Sequence, residues 1–219
     1  MISINDLRNK VVNEILVCLR GVGFTSENGP SFYAQSKDAI QVIEICFLDR
    51  RHAAYFGSNT ASFSLELGVF FSFITPSENN GQSHTNQILL PKIFECHIRG
   101  TLLRDISQKK LRKELSCTGP DERRRDIWWV ERSGANIDEV LGSATRVIRK
   151  RAKQWLERFA DIHYAYKYLK RGEGKNSWQG GPFNLGRKGC PFRQKLMRQL
   201  ATKLKSKSPQ KRKKYFRDS

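Results

Sequence analysis

The chain has 219 residues, and its 40 Lys and Arg residues outnumber its 21 Asp and Glu residues to give a formal charge of +19. Apolar residues make up 38% of the chain and include 13 Phe, which is enough to bury a core and excludes disorder throughout. No run approaches the roughly 20 apolar residues of a membrane-spanning helix, so we expect a soluble cytoplasmic protein with no membrane partner. Five widely spaced cysteines argue against a disulfide framework or a zinc ribbon.

The first predicted element is an amphipathic helix over about residues 5–20, because apolar side chains recur every four residues from Leu7 to Leu19. A cluster of turn residues at 26–30 separates this helix from a short strand at Phe32–Ala34. The next strand, at 40–48, has apolar residues on both faces, which is typical of a central strand.

The clearest pattern covers residues 61–73, where every odd position is apolar. This alternation predicts a long strand with one face on a core. We expect the opposite face to meet water or a ligand, and its polar residues are Ser62, Ser64, Glu66 and Ser72. A surface loop is predicted at 75–83, further strands at 95–103 and 127–130, and a charged linker between those two strands.

A long helix is predicted from Ile137 to Phe159, because its apolar residues are spaced by three and four. Together these elements predict an α+β fold: an antiparallel sheet of about five strands with an N-terminal and a long C-terminal helix packed on one face. Three regions are expected: a core domain over 1–161, a Gly- and aromatic-rich linker over 162–190, and a basic helix with a disordered tail over 191–219.

The order of these elements resembles the bacterial family described as domain of unknown function 4304. The resemblance covers roughly residues 5–161 and rests on three motifs: Val22-Gly23-Phe24 after the first helix, the double tryptophan in Asp126-Ile127-Trp128-Trp129-Val130, and the helix end Trp155-Leu156-Glu157-Arg158-Phe159. It implies a compact α+β domain and supplies no catalytic residues. The basic extension after Asp161 departs from the family pattern.

The excess positive charge lies in the C-terminal half of the chain. Residues 1–103 contain 8 Lys and Arg against 9 Asp and Glu, residues 104–186 contain 19 against 11, and residues 187–219 contain 13 against 1. Such asymmetry indicates a polyanion, an anionic membrane surface or an acidic protein as partner, although a merely solubilising tail is an alternative. Aromatic residues interleave with the basic ones between Tyr164 and Phe183, as in segments that bind single-stranded nucleic acid or protein.

We therefore predict contacts with the phosphates of DNA or RNA, since cationic side chains that neutralise phosphates release counterions without reading sequence. Trp128-Trp129 would add a base-stacking platform if one indole were exposed, although both could also pack in the core. The residues predicted to bind nucleic acid are Arg123, Arg124, Arg125, Arg146, Arg149, Lys150, Lys153, Lys167, Lys170, Arg171, Arg187, Lys188, Arg193, Lys203, Lys205, Lys207, Lys211, Arg212, Lys213 and Lys214.

The sequence does not favour catalysis, a cofactor or a bound metal. Cys96 and His97 are adjacent in a predicted strand and would point to opposite faces, so they should not act on one substrate atom or bind one ion. Glu44 and Glu66 could become neighbours on adjacent strands and form a pair of carboxylates.

The leading hypothesis is a sequence-nonspecific nucleic-acid-binding protein, acting as an accessory subunit of a bacterial complex. The alternative is a protein-interaction or immunity-type subunit with an acidic partner. A metal-dependent nuclease that uses Glu44 and Glu66 is the third hypothesis.

Overall fold

A computed structural model describes residues 3–74, 90–105, 125–171 and 190–206. Its helices are α1 (Ile4–Arg20), α2 (Arg50–Tyr55), α3 (Ile137–Val147), α4 (Lys153–Ala160), α5 (Ile162–Arg171) and α6 (Pro191–Ser206). Its strands are β1 (Ser26–Asn28), β2 (Ser31–Gln35), β3 (Ala39–Phe47), β4 (Phe63–Phe71), β5 (Ile98–Thr101) and β6 (Ile127–Trp128). A 3-10 turn (Ile93–Glu95) precedes β5, and a π-helical segment (Ile148–Ala152) joins α3 to α4.

The strands form one antiparallel sheet in the order β1-β2-β3-β4-β5. One edge of β4 pairs with β3, and the other edge is shared by β5, opposite Glu66–Val69, and β6, opposite Phe63 and Ser64. With α1 and the α3–α4 helix on one face, this arrangement confirms the predicted α+β class and the antiparallel sheet. The predicted turn cluster at 26–30 is a hairpin that adds β1 to the edge of the sheet.

The alternating pattern of β4 sorts its side chains as predicted on the core face. From Phe63 to Phe71 every odd-numbered side chain is fully buried. Ser62 is an exception to the predicted polar face, because it is buried at the end of the strand. Its hydroxyl accepts a hydrogen bond from the Val130 amide at 2.8 Å and lies 3.3 Å from the Val130 carbonyl, so it ties β4 to the segment after β6.

Helix α1 begins at a reciprocal cap. The Ser3 hydroxyl accepts from the Asp6 amide at 3.1 Å, and the Asp6 carboxylate accepts from the Ser3 amide at 3.3 Å. These bonds satisfy backbone donors that the first helical turn cannot pair internally. The buried face runs from Leu7 to Leu19, which confirms the predicted helix and its core-facing stripe.

The second face of the sheet is partly covered, which the sequence pattern did not predict. Ile93 and Cys96 pack over Tyr33, Ile40 and Val42 in a separate apolar cluster. The predicted strand at 95–103 consequently shortens to Ile98–Thr101, since the residues before it form the turn that covers this face.

The predicted long helix is present and contains a π-helical turn. Val147 and Ile148 are consecutive in sequence, yet both are buried. A π-turn holds more residues than an α-helical turn, so it rotates the following residues about the helix axis. The apolar stripe therefore continues onto Leu156 and Phe159 in α4. The turn also contains Arg149, Lys150 and Arg151.

Residues 162–171 form helix α5, where a loop-rich linker was expected. Ile162, Ala165 and Leu169 are buried and belong to the same core as the sheet, together with Leu196 and Leu200 of α6. The predicted basic helix after residue 191 is thus present and packed. The loop at 75–83, most of the linker and the tail beyond Ser206 lie outside the described residues.

Candidate functional site

The exposed side of the α3–α4 helix carries four of the predicted phosphate-binding residues: Arg146, Arg149, Lys150 and Lys153. Lys150 lies 3.7 Å from Asp105, and Lys153 lies 3.9 Å from Glu157. Ion pairs this exposed contribute little to stability, so each lysine can readily exchange its carboxylate partner for another anion. The helix therefore presents a cationic surface of four exposed basic side chains, and its opposite side is buried in the core.

Further basic residues are exposed on α5 and α6. Lys167, Lys170 and Arg171 are exposed in α5, and Lys205 is exposed in the last turn of α6. Lys203 is only half-exposed, because its ammonium lies 3.7 Å from Asp38 and 4.9 Å from the ring centre of Phe73. Lys203 thus helps to attach α6 to the sheet domain.

Arg193 was predicted to contact phosphate, and the structure places its side chain in the interior instead. Its side chain is 1% exposed, and its guanidinium donates to the Leu169 carbonyl from Nε at 3.0 Å and from Nη2 at 2.8 Å. A third contact reaches the Tyr168 carbonyl at 3.4 Å. Arg193 lies three residues before Leu196 and seven before Leu200, so it shares their face of the helix. This spacing was the signal that would have predicted its burial.

Arg125 is also engaged within the protein. It is half-buried, and its Nη2 donates to the Arg104 carbonyl at 3.3 Å. The other predicted phosphate-binding residues lie outside the described parts of the chain: Arg123, Arg124, Arg187, Lys188, Lys207, Lys211, Arg212, Lys213 and Lys214.

A cavity of about 260 Å³ lies at one end of this cationic surface, between the end of β5 and helices α4 and α5. Backbone and side chains of the strand end form one side, and helical side chains form the other. The lining residues are Thr101, Leu102, Leu103, Arg151, Gln154, Trp155, Arg158, Phe159 and Tyr164. Two guanidinium groups and three aromatic rings therefore converge on one space.

The aromatic residues of the cavity hold one another in place. The ring centres of Trp155 and Phe159 are 4.6 Å apart, and Tyr164 contacts Phe159 edge-on at 5.3 Å. Tyr168 lies behind, 5.0 Å from Phe159 and 6.4 Å from Tyr164. Tyr164 remains 38% exposed, so a rigidly supported ring meets solvent at the cavity.

Trp155 can approach the sheet only because residue 100 is glycine. A Cβ atom at Gly100 would lie 2.6 Å from Cζ2 of the indole, well inside van der Waals contact. We expect Gly100→Ala to lower the free energy of unfolding by about 1–3 kcal/mol, because the rigid ring and strand must move apart. Urea denaturation would measure this change.

Gly142→Ala is the matched control for that variant. Its added methyl group would meet nothing within 4 Å on the surface of α3, so the helix should gain about 0.5–1 kcal/mol. Equal stabilities of the two variants would contradict the close packing of Trp155 on the strand.

Glu44 and Glu66 lie directly opposite each other on β3 and β4, as the sequence analysis anticipated. Ser31 donates to Glu44 at 3.0 Å, while burial and the neighbouring carboxylate raise the pKa of Glu66. Burial and the same two carboxylates raise the pKa of Cys46 to about 12, which keeps that thiol protonated and unreactive. Within the described residues, no group of three His, Cys, Asp or Glu side chains is arranged to hold a metal ion.

Cys96 and His97 occupy different structural roles. Cys96 belongs to the apolar cluster on the second face, where burial raises the pKa of its thiol. His97 is 8% exposed, and its Nδ1 accepts a hydrogen bond from the Phe71 amide at 3.0 Å. Burial lowers the pKa of His97 to about 4, so the ring is neutral near pH 7.

The two adjacent tryptophans also divide their roles. Trp128 is 1% exposed and stacks on Phe63 at 5.7 Å, while Trp129 is half-buried with its ring centre 4.9 Å from Phe56. Both rings are thus packed against phenylalanines, which favours the core interpretation over a base-stacking platform at this position.

Sequence reasoning missed the cavity because its residues come from distant segments. Arg151, Trp155 and Arg158 share helical spacing and were seen only as stripe and surface residues of one helix. The available signal was that Arg151 lies four residues before Trp155 and Arg158 three residues after it, which places all three side chains on one side of the helix. The contribution of Tyr164 depends on the helix at 162–171, which the sequence analysis treated as linker.

The family whose description is "Domain of unknown function (DUF4304)" matches residues 16–158. No curated protein and no solved structure matches the chain. The match includes the sheet and most of the α3–α4 helix, whereas α5 and α6 lie beyond it. No described helix has the length and apolar character required to cross a bilayer.

Proposed function

The chain belongs to the family of domain of unknown function 4304, a description that assigns no activity, and we propose that it binds nucleic acid through the phosphate backbone. The observation that carries the proposal is the cationic surface of the α3–α4 helix and α5. Residues 137–171 contain nine Lys and Arg against four Asp and Glu. All four of the predicted phosphate-binding residues in α3–α4 are exposed.

A surface of this kind attracts any polyanion, because each neutralised phosphate releases counterions into solution. The surface alone contains nothing that distinguishes one base pair from another, so binding should not depend on sequence. Residues 190–206 add five more basic residues and no acidic ones, although Arg193 is buried. We place this activity in the cytoplasm, in an accessory subunit of a larger assembly.

The test is fluorescence anisotropy with labelled single- and double-stranded DNA and RNA, between about 50 and 200 mM salt. We expect the triple variant Arg146→Gln, Lys150→Gln, Lys153→Gln to bind at least tenfold more weakly at low salt. The slope of log affinity against log salt should become shallower by about 2–3, since roughly three phosphate contacts are lost.

A charge-matched control is available on other elements. Arg50, Arg51 and Lys92 are exposed on α2 and at the 3-10 turn before β5, outside the helices α3–α6. The variant Arg50→Gln, Arg51→Gln, Lys92→Gln removes the same charge and should retain most of the binding. An equal loss in both variants would contradict this interface, and no binding at low salt would favour an acidic protein as the partner.

A further inference from the structure

The cavity between β5, α4 and α5 differs from the rest of the cationic surface, because it combines charge with aromatic faces. Its volume of about 260 Å³ is just below the usual range for drug-sized ligands, which begins at about 300 Å³, and suits a smaller group. A binding surface for phosphates alone requires neither a cavity nor an exposed ring, so these features need a separate explanation.

The rings are arranged to accept a flat ligand. Trp155 is fixed against Gly100, and Tyr164 is supported by Phe159 and Tyr168 while 38% of its own surface stays open. A ring that is already immobilised loses little conformational entropy when another ring stacks on it. Stacking on such a platform tolerates every base, since each has a π-face.

The charges at the cavity are suited to a phosphate next to that ring. Arg151 is oriented by Asp105 at 3.1 Å, and Lys150 shares the same carboxylate at 3.7 Å. Arg158 is exposed on the same wall, one helical turn after Trp155. Gln154 adds an amide that can donate to and accept from the edge of a base.

Building on the proposed function, we infer that this cavity receives one unpaired base of a single-stranded nucleic acid. Tyr164 stacks on the base, and Arg158 binds the adjoining phosphate. A base within a duplex is stacked on both faces and paired along one edge, and it cannot enter, so the cavity gives the protein a preference for single strands. The substrate class of the cationic surface is thereby narrowed to nucleic acid with unpaired bases.

The test compares a single-stranded oligonucleotide with an abasic oligomer of the same length, which carries the same phosphates and no bases. We expect the wild-type protein to bind the base-containing oligomer roughly tenfold more tightly, as one stacked base would give. In Tyr164→Leu the ratio of the two affinities should fall to about one, while the affinity for the abasic oligomer stays unchanged.

Tyr55→Leu is the matched control, because Tyr55 is 66% exposed on α2 and does not line the cavity. It should leave the preference intact, and thermal melting would verify that both variants are folded. If the wild type binds both oligomers equally, or if Tyr164→Leu keeps the preference, the base-binding cavity is wrong while the cationic interface stands.

If neither oligomer binds, a calorimetric titration with adenosine monophosphate shows whether the cavity itself still binds a base with its phosphate. Heat of binding that is present in the wild type and Arg51→Gln, but lost in Tyr164→Leu and Arg158→Gln, would support the cavity and overturn only the proposed polynucleotide binding. No heat in the wild type, together with no oligomer binding, would overturn both.

Discussion

Replacing Arg193 by alanine should lower the free energy of unfolding by about 3 kcal/mol, the largest effect we expect from a single residue outside the sheet. The guanidinium is buried and donates twice to the Leu169 carbonyl and once to the Tyr168 carbonyl, at the end of α5. Its removal leaves carbonyl oxygens without these donors and opens a cavity between α5 and α6. Urea denaturation followed by circular dichroism would measure the change.

Arg198→Ala is the control, because Arg198 is exposed on the same helix and its replacement removes the same charge. Its effect on stability should stay within about 0.5 kcal/mol. The pair also distinguishes packing from phosphate binding. If Arg193→Ala were as stable as Arg198→Ala and only weakened the salt dependence of nucleic-acid binding, the original phosphate interpretation of Arg193 would be correct.

The second large effect concerns His97 at acidic pH. Burial holds the pKa of His97 at about 4, below its usual value of 6.5, and its Nδ1 accepts from the Phe71 amide. The unfolded chain therefore binds a proton at a higher pH than the folded protein does. Stability from this residue is fully present above about pH 6.5 and is lost as the pH falls towards 4, by about 3 kcal/mol.

His97→Gln tests this sign, because an amide oxygen can accept from the same backbone donor and does not titrate. The variant should be less stable than the wild type near pH 7, since its shape differs from that of an imidazole packed between Phe70 and Phe71. The difference between the two proteins should then shrink as the pH falls to 4. Stability curves that run parallel over this range would show that His97 does not carry the acid sensitivity. The comparison is needed because Glu66, whose pKa is raised, acts in the opposite direction.

The elements that sequence analysis predicted well are those in which burial follows a simple period. The strict alternation in β4 and the four-residue repeat of α1 each reflect one face on one core, and both were predicted to within a few residues. The pairing of Glu44 with Glu66 was anticipated because neighbouring antiparallel strands bring alternating residues onto one face.

Prediction failed where a residue's surroundings come from a distant part of the chain. Ser62 fits the polar face by alternation, yet it is buried by the segment at Val130, almost 70 residues later. Helix α5 was missed because Tyr164, Tyr166 and Tyr168 alternate with other residues and obscure the apolar positions between them. Arg193 was assigned by its charge, although its helical position relative to Leu196 pointed to the interior.

The shared edge of β4 has a consequence for how this fold can change. The chain leaves the sheet after Thr101, opposite Glu66, and returns at Ile127, opposite Ser64. Just beyond the sheet, the Arg104 amide donates to the Arg125 carbonyl at 2.7 Å and closes the base of the excursion. Because doubling the length of a closed loop costs only about 0.6 kcal/mol, insertions here leave the strand register untouched. The domain can therefore accept inserted sequence at this position with little cost to the pairing of its sheet.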